Sequence, residues 1–118
     1  MSTCPFCEIV ARRAPATIVQ WWEGAMAIIP LNPVVPGHLI VIPNRHVPDA
    51  LTDPALTGHV MECAAKVATA PCNLITSVGQ EATQSVFHLH IHVVPRAADD
   101  GLALPWYSGR RSRKGQAQ

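Results

Sequence analysis

The run His88-Leu89-His90-Ile91-His92-Val93-Val94 alternates imidazole and aliphatic side chains with a period of two. Successive side chains of a β-strand point to opposite faces, so the pattern predicts a strand over Val86 to Val94. Leu89, Ile91 and Val93 would face the core, and His88, His90 and His92 would share the other face. Three of the six histidines thus crowd into five residues, beside the polar loop Gly79 to Ser85. Each ring needs hydrogen-bond partners and adds less packing than Val or Thr would, so a merely His-rich strand accounts poorly for them.

Two chemistries fit such a row: a three-histidine metal centre with an open position, or imidazole acting directly as a nucleophile. Same-face neighbours on one strand lie about 7 Å apart at Cα, and the outer two about 13 Å. Three such rings converge poorly on one ion. Adjacent pairs can share a ligand or hand along a proton, which favours a nucleophile, or a metal held by only one of the three.

The flanking sequence supplies a sheet and helices around this strand. Pro5 suits the first position of a short helix capped by Thr3 or Cys4 and stopped at Ala14-Pro15. Thr17 to Trp22 and Ala25 to Ile29, linked by Glu23-Gly24, read as a tight antiparallel hairpin. A proline-rich connection leads to a strand over His38 to Ile42, closed by Pro43. Asp53 as N-cap and Pro54 open an amphipathic helix that ends before Pro71, and Asn73 to Val78 forms a further strand. The class is α+β with a mainly antiparallel sheet.

With 118 residues, 48% hydrophobic and 14% charged, the chain suits one globular domain, taken as residues 1–109. Residues 110–118 carry four basic side chains without an apolar anchor and read as a solvated, disordered tail. A net charge of +1 provides no field for a polyanion, so no specific nucleic-acid partner is expected. The first residues lack the basic and apolar regions of a signal peptide, and no apolar run reaches the roughly 18 residues of a membrane span. A soluble cytoplasmic protein with no membrane partner is the expectation. In a reducing compartment Cys4 and Cys7 read as metal ligands or thiols, and Cys63 and Cys72 as ordinary buried residues.

Gln84-Ser85-Val86-Phe87-His88-Leu89-His90-Ile91-His92-Val93-Val94-Pro95-Arg96 resembles the signature of the histidine triad proteins. Asn32-Pro33-Val34-Val35-Pro36-Gly37-His38-Leu39-Ile40-Val41-Ile42-Pro43 resembles their second recurrent segment, and Cys4-Pro5-Phe6-Cys7-Glu8-Ile9-Val10 the N-terminus of many bacterial members. The match spans residues 4 to 107. The resemblance implies the histidine triad fold, with a five-stranded, mainly antiparallel sheet and two helices, pairing as a homodimer. It also implies a nucleotide hydrolase or transferase, of the kind that cleaves phosphoramidates or dinucleoside polyphosphates. In that family the middle histidine attacks the α-phosphate and carries the nucleotidyl group, which by position assigns the role to His90. A backbone carbonyl is expected to hold its other nitrogen.

The resemblance places His92 and His38 beside the phosphate and has Gln84 and Ser85 supply hydrogen bonds to its oxygens or to the leaving group. Leu31, Asn32 and Ser77 join Gln84, Ser85, His90 and His92 as nucleotide contacts. Zinc-bearing relatives complete a Cys pair with two histidines, which map here to Cys4, Cys7, His46 and His88 as a structural zinc site. The pattern is departed from at Pro30, where many members carry an acidic residue or Asn for the ribose, at Ser77 in place of Asn, and at Thr83 in place of Gly. Leu104-Pro105-Trp106-Tyr107 resembles C-terminal stretches that reach the partner's active site in dimers; packing within one subunit is the alternative. A nucleotide-binding module with negligible turnover and a metal-dependent hydrolase remain the competing functions.

Overall fold

The computed structural model describes residues 4–110, so of the basic tail only Arg110 falls within it. Five strands form one antiparallel sheet in the order β1-β2-β3-β5-β4: β1 Ile18–Trp22, β2 Ala25–Ile28, β3 Leu39–Pro43, β4 Cys72–Ile75 and β5 Ile91–Pro95. Helix α1 spans Pro5–Val10 and α2 spans Pro54–Val67. The α+β architecture expected above is the one observed.

Both helix starts follow from local chemistry. Cys4 caps α1 by accepting the Cys7 amide on its sulfur, and Asp53 caps α2 by accepting the Leu56 amide on Oδ1, with a proline opening each helix. The hairpin turns at Glu23-Gly24, where Gly24 takes φ +76°, a left-handed conformation suited to glycine.

The sheet separates two cores. On one side Ala25, Ala27, Val41, Ile91 and Val93 pack against Val60, Cys63 and Ala64 of α2. On the other, Met26, Ile28, Ile40 and Ile42 pack beneath Phe6 of α1. Ile40 lies opposite His92, and His92 opposite Ile75, so His92 and Ile75 share the α1 side of the sheet.

Three elements differ from expectation. β5 begins at Ile91 rather than Val86, so His88 and His90 precede the regular strand. Continued register would set Leu89 against Pro43, which has no amide hydrogen to donate. The Pro43 carbonyl accepts from the His88 ring instead, and the Leu89 amide donates to the Val47 carbonyl. Leu89, Ile91 and Val93 are in the core as the pattern required, but His88 and Val94 are buried as well, so burial alternates only from Leu89 to Val93. α1 stops at Val10, four residues short of Ala14-Pro15. β4 runs over Cys72–Ile75, and Cys72 is half-buried at the sheet edge while Cys63 is buried as expected.

Candidate active site and metal centre

Complementary donors and acceptors fix the protons of four histidines. His90 Nδ1 lies 2.8 Å from the His88 carbonyl; a carbonyl only accepts, so Nδ1 carries the hydrogen and Nε2 keeps a free lone pair. The expected backbone partner is therefore present. Thr76 Oγ1 donates to the His90 carbonyl at 2.8 Å, a side chain standing in for a ladder bond. Phe6 meets the His90 ring edge-on at 5.0 Å between centroids.

His38 accepts the Val34 amide on Nδ1 at 3.1 Å, which puts its own hydrogen on Nε2. That hydrogen is donated to His92 Nδ1 at 3.0 Å, leaving the hydrogen of His92 on Nε2. The His90 and His92 rings meet edge to face, 5.0 Å apart between centroids. Gly37, at φ +86°, lets the loop pass close to Pro95, where an added Cβ would sit 3.2 Å from the proline Cγ, and so delivers His38 to β5.

Burial pushes all four rings toward the neutral form. Desolvation, with the neighbouring His90 and His38, lowers His92 to about 4. Desolvation lowers His38 as well, and it lowers His90 against the opposing pull of the His88 carbonyl. His88 is lowered by desolvation too, opposed by its bond to Pro43. Near pH 7 these rings are neutral, with a lone pair free on His90 Nε2 and a hydrogen on His92 Nε2.

His88 turns elsewhere. It is fully buried, its Nε2 donates to the Pro43 carbonyl at 2.9 Å, and its bare Nδ1 faces Cys4 Sγ at 3.3 Å, Cys7 Sγ at 3.5 Å and His46 Nδ1 at 3.1 Å. Cys7 Sγ and His46 Nδ1 are 3.3 Å apart, and the four ligand atoms all lie within 4.8 Å of one another. A tetrahedral ion with bonds of about 2.0 Å to nitrogen and 2.3 Å to sulfur has ligand–ligand edges of about 3.3–3.8 Å, close to this spacing. Desolvation, then the adjacent Cys4, raise the Cys7 thiol against the opposing charge of Arg13. Two cysteines, two histidines and a carbonyl fixing one imidazole make a group that could hold a metal ion.

The three signature histidines thus serve different neighbours: His88 the cysteine cluster, His92 the His38 ring, and His90 neither. The remaining expected site residues are spread around them. Gln84 is buried, but its amide is spent on the loop, accepting from the Gly79 amide and donating to the Pro48 and Val86 carbonyls. Ser85 is exposed in the connection before β5. Ser77 is half-buried just beyond β4, and Leu31 and Asn32 are exposed on the β2–β3 loop. Thr83 takes φ +76°, a conformation that explains a glycine preference and strains a β-branched residue. His59 on α2 donates to the Glu23 carbonyl at 2.8 Å and docks the helix onto the β1–β2 turn. Thr76, Phe6 and the Val34 amide were not legible as site groups, because a threonine after a strand or a helical phenylalanine carries no distinguishing spacing.

A family model described as the HIT domain matches residues 11–99. The chain belongs to the HIT family. It is 36% identical to an uncharacterised HIT-like protein of Mycobacterium tuberculosis, over 86% of this chain and 76% of that one. The fold matches a HIT family hydrolase from Clostridium thermocellum with TM-score 0.74 and 32% identity, covering 82% of this chain and 93% of that one. A member of the HIT family from Bacillus subtilis superposes with TM-score 0.81 and 30% identity, covering 89% and 82%. Among the described residues, no helix of this HIT protein is long and apolar enough to cross a membrane.

Proposed function

We propose that this HIT protein transfers a nucleotidyl group from nucleoside phosphate derivatives to water or another acceptor through a covalent nucleotidyl-His90. The observation that carries the reading is His90 Nδ1 locked on the His88 carbonyl, which leaves Nε2 bare, with the His92 ring 5.0 Å away between centroids. The lone pair attacks the α-phosphorus, the bond to the leaving group breaks with its electron pair, and the Nδ1–H···O=C bond steadies the charge that develops on the ring. A departing phosphoramidate nitrogen takes a proton from solvent and leaves as an amine. Water then attacks the same phosphorus, the P–Nε2 bond breaks back to His90, and the proton balance is restored. His92, neutral near pH 7, donates a hydrogen bond to a phosphoryl oxygen and His38 holds it in that tautomer. Ser85, Ser77, Leu31 and Asn32 complete the proposed nucleotide contacts, and Gln84 shapes the loop that presents Ser85. The hydrolase named among the solved relatives supports this reading by kinship.

The reading includes a structural zinc on Cys4, Cys7, His46 and His88, supported by their spacing. When bound, such an ion draws the four ligands together and supplies charge neutralisation for two thiolates. It would pin α1 to the sheet and fix His88, whose carbonyl orients His90. The reading further includes one domain over residues 1–109, a cytoplasmic setting supported by four free cysteines, and a homodimer, supported by the open edge of β4 and by Trp106, which is 77% exposed.

Rapid quench with adenosine phosphoramidate and diadenosine tetraphosphate, followed by mass mapping, tests the mechanism. An adenylyl mass on the peptide bearing His90 is expected, with none in His90→Asn and turnover lower by about 10³-fold or more. Unchanged turnover in a preparation of His90→Asn free of wild-type protein would falsify the assignment.

A further inference from the structure

Cys4 and Cys7 stand one helical turn apart, at the cap and the third residue of α1. The Cys7 amide donates to Cys4 Sγ at 3.4 Å, which lays the first sulfur against the backbone of the second cysteine. Both sulfurs face the same bare nitrogen, His88 Nδ1, at 3.3 and 3.5 Å, and no two ligand atoms of the four-residue cluster are more than 4.8 Å apart. A disulfide needs sulfurs about 2.05 Å apart and Cβ atoms about 3.5–4.5 Å apart. Residues three apart on a helix already bring their Cβ atoms to about 5–6 Å. Rotation of two side chains, with a small adjustment of the first turn, therefore closes the bond. The other two members of the cluster take no part in that closure, because His46 comes from the loop after β3 and His88 from the approach to β5.

Access favours this pair. Cys4 and Cys7 are half-buried and His46 is exposed, so the cluster opens to solvent, whereas Cys63 is 1% exposed inside the α2 core. Cys72 is half-buried too, but it is not a member of the cluster.

We propose that Cys4 and Cys7 form a redox-active dithiol which a hydroperoxide closes to an internal disulfide, and that this bond and a metal ion exclude one another at the cluster. The exclusion rests on the zinc reading. One thiolate attacks the near oxygen of the peroxide, the O–O bond breaks with its electron pair on the far oxygen, and that oxygen takes a proton and leaves as water or an alcohol. The second thiol attacks the resulting sulfenic sulfur, the S–O bond breaks, and hydroxide departs with the thiol proton as water. Sulfur is oxidised by two electrons and the peroxide reduced by two. The oxidised cluster offers two neutral imidazoles, too few for a closed tetrahedral site. Phe6, the buried residue between the two cysteines, meets both His88 and His90 edge-on, at 5.7 and 5.0 Å between centroids. A change at either cysteine is thus one residue from a ring that touches the proposed nucleophile.

Stepwise hydrogen peroxide on the full chain, reduced and loaded with zinc, tests this with a chromogenic chelator for freed zinc and peptide mass mapping. One equivalent of zinc is expected to be freed for each internal Cys4–Cys7 disulfide, read as a loss of about 2 Da, and dithiothreitol with added zinc is expected to reverse both. Metal-free protein should form the disulfide at least tenfold faster than loaded protein, since only the free sulfurs are nucleophiles. His46→Ala keeps both thiols and weakens the ion's hold, so in added zinc it should form the disulfide faster than wild type. Sulfinic acids on separate cysteines, a disulfide between chains, or an internal disulfide that forms equally fast with and without bound zinc overturns the proposal while leaving the zinc reading standing. A reduced protein that takes up no zinc overturns the zinc reading and the exclusion with it, even where the internal disulfide forms.

Discussion

The Val34 amide, His38 and His92 form a string of hydrogen bonds with one allowed direction, because a backbone N–H donates and cannot accept. That string holds His92 as a neutral donor. It also couples the fold to pH: the unfolded state takes up a proton on His92 near the ordinary value of about 6.5, whereas the folded state resists until about 4. Stability from this ring is full above pH 6.5 and is lost as pH falls from about 6.5 toward 4. Urea midpoints measured between pH 7.5 and 4.5 should fall, and fall less in His92→Asn. Thr83 offers a second residue-scale test. Glycine at this left-handed position relieves strain at some cost in chain entropy, so Thr83→Gly should stabilise by about 1 kcal/mol, raising the melting temperature by about 4 °C. The imidazole row was legible because its period of two is local. The use of Gln84 was not, since its partners at Pro48, Gly79 and Val86 are set by how the loop folds.

At the level of elements, β5 is a strand with an unpaired approach. His88 and His90 are set apart from His92 in that approach, where side-chain bonds take the place of a ladder. Thr76→Val removes the hydroxyl that satisfies the His90 carbonyl while nearly keeping the shape. A stability loss of about 1 kcal/mol is expected by denaturant titration, with kcat reduced more than KM. Retained kcat would show that the His88 carbonyl alone orients the nucleophile. Helix α2 was readable from Asp53-Pro54 and its apolar positions, and the hairpin from Glu23-Gly24, because caps and turns are fixed by adjacent residues. The start of β5 was hidden because it depends on Pro43, which lies 48 positions before Ile91 and belongs to another strand. The Cys4, Cys7, His46 and His88 group was legible only through family resemblance, since spacing alone identifies the Cys pair and not which histidines join it.

Across the whole molecule, the two faces of the sheet are held by different physics. α2 is bound by apolar burial of Val60, Cys63 and Ala64, whereas α1 has six residues and one buried anchor, Phe6, besides the cysteine and histidine cluster. On the proposed zinc and nucleotidyl-transfer readings, treatment with a chelator should therefore lower turnover at least tenfold while the α2 side keeps a cooperative melt. Near-UV and far-UV circular dichroism, read together with activity, would check this. Full activity in demonstrably metal-free protein would separate the cluster from the site. The contrast also bears on how the protein opens below its melting temperature. Amides around α1 and the approach to β5 should exchange with deuterium through a partial opening, while those of β2, β3 and α2 wait for global unfolding. On the proposed reading His90 would then sit on the lip of the weaker cooperative unit, and an ion held by Cys4, Cys7, His46 and His88 would set how often that unit opens.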